Sequence, residues 1–260
     1  MAIHDFIDDT ARSVAFLSRV PVPQRHFTGH DGRLSRAVRA FPLAGVLIAL
    51  PAAALAAVLS AIHAPPALLA FAALALQVLV TGALHEDGLS DSADGIGGGR
   101  DRDGALAIMK DSRVGSYGAV ALILSFGLRA AAIAALATVL TPSGLGMALL
   151  AVAAASRTAM VWHWSLLPPA RRDGVAASVG EPDGTAITFA LASGIAIATL
   201  LLLPHGTVLA LVLALAAAVA AVLVFNRIAG RKIGGHTGDT IGATQQLAEM
   251  SVLCALALAL

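Results

Sequence analysis

The sequence predicts an all-α fold, a polytopic membrane bundle of about seven transmembrane helices with its chemistry on the cytoplasmic face. Three observations predict it. The 260 residues are 58% hydrophobic and only 13% charged, with a mean hydropathy of +0.83, whereas an ordinary soluble domain is roughly 25% charged. Stretches long enough to cross a bilayer, about 20 residues each, recur along almost the whole chain. Their Ala and Leu content favours helix, the structure that satisfies its own backbone in lipid. Finally, the charged residues gather in alternate connections between these stretches.

Residues 1–260 therefore read as one integral-membrane domain without a separate soluble module. A formal net charge of +1 gives no basic field for nucleic acid. The sole cysteine, Cys254, lies in an apolar run and reads as a small buried hydrophobe. The first ten residues are acidic, with no basic segment leading into an apolar one, so no cleavable signal peptide is expected.

In chain order, residues 1–40 form a cytoplasmic or interfacial arm with six Arg, in which Phe16-Leu17-Ser18-Arg19 passes into the Pro-restricted segment Val20-Pro21-Val22-Pro23. That arm either anchors the chain at the membrane surface or helps close a site. Apolar spans follow at 41–62, 67–83, 115–140, 145–166, 185–203, 207–225 and 241–260. The connections 61–66, 141–144 and 204–206 hold no Lys, Arg, Asp or Glu. By contrast 84–114 carries four basic residues, 168–184 two (Arg171 and Arg172) and 226–240 three. Fifteen of seventeen basic residues thus lie on one side, with Arg129 and Arg157 inside spans, and the positive-inside rule makes that side cytoplasmic. Fifteen of sixteen acidic residues share it; Glu249 alone lies within a span. A pore would place polar groups at several depths and on both faces, so the asymmetry favours an enzyme whose active-site segments are 84–114 and 226–240.

The densest acidic block is His85-Glu86-Asp87-Gly88-Leu89-Ser90-Asp91-Ser92-Ala93-Asp94-Gly95. One Asp at the centre of a membrane helix costs about 2.5 to 3.5 kcal/mol on insertion scales, so four carboxylates here need solvent, a metal or partners. On a helix Asp87, Asp91 and Asp94 share one face, and Glu86 flanks it. Mg²⁺ takes oxygen ligands and binds through one or two carboxylates together with substrate phosphates, so Glu86, Asp87, Asp91 and Asp94 are the candidate metal ligands. Next, Gly95-Ile96-Gly97-Gly98-Gly99-Arg100-Asp101-Arg102 reads as a flexible turn whose glycines admit a phosphate and whose Arg100 and Arg102 pair with it. Lys110 and Arg113 are expected on one helical face at the edge of the third span, either snorkelling at the interface or binding phosphate.

A second polar cluster, Gly230-Arg231-Lys232-Ile233-Gly234-Gly235-His236-Thr237-Gly238-Asp239-Thr240-Ile241-Gly242-Ala243, combines glycines, bases, a His and an Asp before the last apolar span on the same side. Its His236 suits a ligand, a proton carrier or a donor to phosphate. Within the fourth span Arg157 needs an anion, and Trp162 and Trp164 are expected to form an interfacial aromatic belt.

Together these blocks resemble the cobalamin synthase family, the adenosylcobinamide-GDP ribazoletransferases that complete the lower nucleotide loop of vitamin B12. The blocks that carry it are 16–23, 41–45, 82–99, 109–118, Ser156-Arg157 and 235–242. The resemblance implies a multipass enzyme of the bacterial inner membrane, active on the cytoplasmic side. It would use Mg²⁺ to join adenosylcobinamide-GDP to α-ribazole or its 5′-phosphate, with release of GMP. It leaves room for a homo-oligomer or for association with other corrinoid-pathway enzymes. The expected roles are metal binding by Glu86, Asp87, Asp91 and Asp94, with Asp94 doubling as general base. Arg100, Lys110, Arg113 and Arg157 would bind phosphates, and His236 with Asp239 would complete the pocket. Two rivals stand beside it. A CDP-alcohol-phosphotransferase-like enzyme also uses a helical Asp cluster, but its pattern has Ala-Arg after the Asp-Gly pair where this chain has Leu89-Ser90-Asp91. An ion-coupled transporter would carry its site near the midplane between repeats, and no convincing repeat is present.

Overall fold

A computed structural model describes residues 3–171 and 178–260, so Arg172 lies outside the described residues. They form α1 (Ile3–Leu17), two 3₁₀ turns (Gln24–Phe27 and Ala37–Ala40), α2 (Phe41–Ala61), α3 (Pro66–Thr81), α4 (Leu84–Gly98) and α5 (Arg102–Ile108). Five further helices follow: α6 (Ser116–Val139), α7 (Pro142–Leu166), α8 (Gly184–Leu202), α9 (Val208–Lys232) and α10 (Gly238–Ala259). No strand occurs among the described residues, and the all-α membrane bundle expected from composition is the observed fold.

Local chemistry sets the helix ends. Prolines open α2, α3 and α7, where a missing N–H costs nothing. Thr141, Thr207 and Thr237 accept hydrogen bonds from the first-turn amides of α7, α9 and α10. Asp183 does the same for α8.

Six helices are long and apolar enough to cross a membrane, and the pair α3 and α4 makes a seventh if its 91° bend is counted as one broken span. We read α3 as the crossing part and α4, with its four carboxylates, as lying across the end of the bundle. The bend is built from Gly82 (φ 65°) and Ala83 (φ 61°), both left-handed. A Cβ on Gly82 would also collide with the Arg19 side chain, and the Arg19 amide donates to the Val80 carbonyl (2.8 Å). The arm is therefore seated against the bend, with Leu17 and Ser13 buried.

Two helices are interior. In its most apolar stretch α7 is 83% buried and α10 is 61% buried, against 28 to 39% for the other crossing helices. The main core joins Ala148, Ala151 and Val152 of α7 with Val252, Leu253 and Leu256 of α10 and with α3 and α6. Around that axis the uncharged connections 62–65, 140–141 and 203–207 fall at one end. The arm, α4, α5 and the α9 to α10 turn fall at the other.

Two boundaries differ from the sequence reading. The segment 226–240 was expected as a connection, yet α9 runs on to Lys232, because Asn226 and Arg227 begin a last turn that the bundle end supports. The glycines 95–98 were expected as a flexible turn and instead complete α4; Gly95 is buried against Met109 and Ala105 of the α5 region, where only a missing side chain fits.

Candidate functional site

α4 sorts its acidic side chains by helical position, as the spacing predicts. Asp87 is exposed, Asp91 half-buried and Asp94 buried. Asp239, in the first turn of α10, joins them because α4 and α10 touch backbone to backbone. A Cβ on Gly88 would stand 2.7 Å from the Asp239 carbonyl oxygen, so glycine is the residue that lets the two acid-bearing elements meet. Burial, and after it the carboxylates of Asp87, Asp239 and Asp94, push Asp91 up to about 7, with Arg171 alone opposing. Arg171 donates to Asp239 Oδ2 at 3.2 Å, and the Thr237 hydroxyl donates to the same oxygen at 3.3 Å.

Asp94 is engaged differently. Its Oδ2 accepts the Gly115 amide (2.7 Å) and its Oδ1 the Gly118 amide (2.9 Å). These are free donors at the start of α6, so Asp94 locks α6 onto α4. Among the described residues no group of three or more His, Cys, Asp or Glu side chains is arranged to hold a metal ion. A face offering one or two carboxylates with space for other ligands suits Mg²⁺, which keeps waters and shares substrate phosphates, better than a caged ion.

Glu86 leaves this group altogether. Its Oε1 accepts from Arg129 Nη1 (3.3 Å) and from the Gln246 amide (3.0 Å), inside the bundle. Arg129 also donates to Glu249 Oε1 (3.2 Å), and Arg157 donates to Glu249 Oε2 (3.3 Å) and to the Ser156 hydroxyl (3.1 Å). Gln245 bridges Glu249 and Ser156. Both arginines are 0% exposed. The metal role expected for Glu86 and the phosphate role expected for Arg157 are corrected accordingly. The anion that Arg157 requires is Glu249, and the two Arg and two Glu cancel within the bundle.

The other expected phosphate ligands sit at the rim. Arg100 is exposed after the end of α4. Lys110 and Arg113 do not share a helical face, because α5 stops at Ile108 and α6 starts at Ser116. Exposed Arg113 is held by Asp111, with Nη2 to Oδ2 at 2.6 Å. Arg102, expected with Arg100 as a phosphate partner after the glycines, and Lys232 of the second polar cluster instead tie the polar segments together. Arg102 Nε donates to the Ile233 carbonyl (3.0 Å), and Lys232 Nζ donates to the Gly99 carbonyl (2.7 Å).

His236 is buried, fixed through its backbone by reciprocal bonds with Pro168 and Ala170 (2.8 Å each). Its ring lies 3.5 Å from Glu181 and edge-on to Trp164. Burial lowers its pKa while Glu181 pulls the other way. Trp164 is 1% exposed and packs on Phe41, so it is a core side chain and not part of an interfacial belt; Trp162 is half-buried. A further group went unread in the sequence. His163 in α7 bonds Asn226 of α9 and, through Nε2, the Thr240 hydroxyl of α10 (3.0 Å). A His in one apolar span and an Asn at the end of another were the available signals.

The chain matches the Cobalamin-5-phosphate synthase family over residues 9–257. It is 66% identical to the adenosylcobinamide-GDP ribazoletransferase of Sinorhizobium medicae over 99% of both chains. It is 64% identical to that of Rhizobium meliloti, again over 99% of both, and 43% identical to that of Brucella anthropi over 100% of both. No solved structure matches it.

Proposed function

The chain belongs to the Cobalamin-5-phosphate synthase family, and on that premise we propose which of its groups carry the reaction. It is an adenosylcobinamide-GDP ribazoletransferase and performs the final assembly of cobalamin. A hydroxyl of α-ribazole, or of its 5′-phosphate, attacks the phosphorus joined to cobinamide. The bond from that phosphorus to the GMP oxygen breaks, GMP leaves, and the hydroxyl proton passes to a base.

Asp87 and Asp239 are the carboxylates that would hold Mg²⁺, together with substrate phosphates, and their gathering with Asp94 around half-buried Asp91 is the observation that carries this assignment. Bound there, Mg²⁺ supplies charge neutralisation at the anionic phosphates. Asp91, half-buried between those carboxylates, is the group placed to take the hydroxyl proton. Asp94, with both oxygens already accepting amides, keeps α6 and α4 in register instead of serving as the base. Arg171, beside Asp239, and exposed Arg100 and Lys110 at the rim supply positive charge for the diphosphate. Arg113 would join them on release from Asp111. His236 closes the side of the pocket formed by Pro168, Ala170 and Glu181.

We place this site on the cytoplasmic face of the membrane, because the arm, α4, α5 and the α9 to α10 turn collect the basic residues at one end. The test is transfer by the purified protein with adenosylcobinamide-GDP and either α-ribazole or its 5′-phosphate, read as GMP release with Mg²⁺ and with chelator. Loss on chelation and return on adding Mg²⁺ is the expected result. Wild-type transfer by Asp91→Asn would falsify the assignment.

A further inference from the structure

We propose that the N-terminal arm carries a second, phosphate-binding subsite, separate from the acidic face of α4. α1, the loop that follows Gln24–Phe27 and the start of Ala37–Ala40 border an open cavity of about 570 Å³ lined by Arg12, Arg33, Arg36 and His30, with Asp9 and Asp31 among its walls. That volume lies within the range of small-ligand sites, roughly 300 to 1,000 Å³.

Its arginines are held in place. Asp9 is 1% exposed and accepts from Arg39 Nε (2.8 Å), Arg12 Nη1 (3.3 Å) and Arg36 Nη2 (3.3 Å). Arg12 Nε is fixed as well, on the His26 carbonyl (2.7 Å). One carboxylate thus orients three guanidiniums, each with five N–H donors, while Asp5 lies 3.9 Å from Arg36 and Asp8 and Asp183 act on Arg12 and Arg39 from further off. Oriented N–H donors beyond those spent on Asp9 remain for an incoming anion. Arg33, 69% exposed and 4.0 Å from Asp31, adds a guanidinium that takes no part in the Asp9 cluster.

Planar forks around a cavity recognise a tetrahedral phosphate bidentately. The group recognised is a phosphate ester, carried either by a free nucleotide or by a lipid headgroup at the membrane surface. The cavity is joined to the transferase site through one segment. Leu34 donates to the Val179 carbonyl (2.7 Å), Asp183 donates to the Ser35 carbonyl (3.0 Å), and Glu181 between them reaches His236.

The experiment measures thermal stabilisation of the full chain in detergent by inorganic phosphate, GMP, guanosine and a short-chain phosphatidylglycerol. Wild type is compared with Arg36→Gln and Arg33→Gln, all with chelator present so that no divalent ion serves the acidic face. Phosphate-bearing ligands should stabilise the wild type and guanosine should not. The half-maximal concentration should rise at least tenfold in both Arg variants under these conditions, which separates this subsite from the metal-dependent acidic face. A lower half-maximal concentration for GMP assigns the phosphate to a nucleotide, and a lower one for phosphatidylglycerol assigns it to a headgroup. Arg33→Gln leaves the Asp9 cluster intact and so remains informative if Arg36→Gln does not fold. An unchanged half-maximal concentration in Arg33→Gln, or equal stabilisation by guanosine and GMP, overturns the proposal.

Discussion

Glu86 and Asp87 are neighbours on α4, and the bundle treats them in opposite ways. Glu86 points inward, where Arg129, Arg157 and Glu249 complete a neutral set whose hydrogen bonds run through Gln245, Gln246, Ser125 and Ser156. Asp87 faces outward toward Asp91 and Asp239, where a single guanidinium, Arg171, stands against several carboxylates. Buried ions are tolerated when they are matched and hydrogen-bonded. Matched charge therefore marks the structural half of this helix, and unmatched charge marks the half to which we assign the cation and the phosphate.

The sharpest way to break this comparison is Arg129→Met, which leaves Glu86 and Glu249 without their shared partner. Removing one member of a buried ion set costs about 3 to 5 kcal/mol, so a large fall in thermal stability in detergent is expected, partly restored by adding Glu86→Gln. A variant of unchanged stability would show that the inner set is not structural. Asp91→Asn should do the reverse. We expect GMP release to fall at least about a hundredfold, as for loss of a group supporting a metal site, while the melting temperature holds or rises because repulsion is relieved.

Gly88→Ala tests the contact that joins the two halves. Its Cβ would press on the Asp239 carbonyl, and overpacking of this kind costs about 1 to 3 kcal/mol. Transfer should decline more than stability does, since Asp239 moves away from Asp91. The smallest effect is on pH. Asp91 holds its proton up to about 7 when folded, against 3.8 for an ordinary aspartate, so the folded state binds more protons across that interval. Without divalent ions, stability should fall modestly as pH rises from about 4 to about 7. That slope should be absent in Asp91→Asn, measured by thermal melts in detergent with chelator.

Much of this was legible in the sequence because it is local. Charge-poor runs of span length gave the crossing helices to within a few residues, α9 excepted, and a spacing of four and three put Asp87, Asp91 and Asp94 on one face of α4. Pairing across the chain was not legible. Glu86 and Arg129 are 43 positions apart, and Arg157 and Glu249 are 92 apart, so nothing near Glu86 or Arg157 announces a partner. Lys110 and Arg113 were placed on a helix because the apolar run of the third span begins just after them. The backbone leaves the helix at Ile108, and Asp111 satisfies Arg113 instead. Trp164 was read from residue type alone, and its burial depends on Phe41, more than 100 residues away.

The inner charge set also bears on how the protein is made. Glu249 belongs to α10, whereas Arg129 in α6 and Arg157 in α7 leave the ribosome four and three helices earlier. Until α10 docks, the two arginines share Glu86 alone, and the nascent bundle holds an unneutralised cation in a medium that penalises it. Docking of α10 is thereby coupled to charge neutrality, and the set closes only when Glu249 arrives.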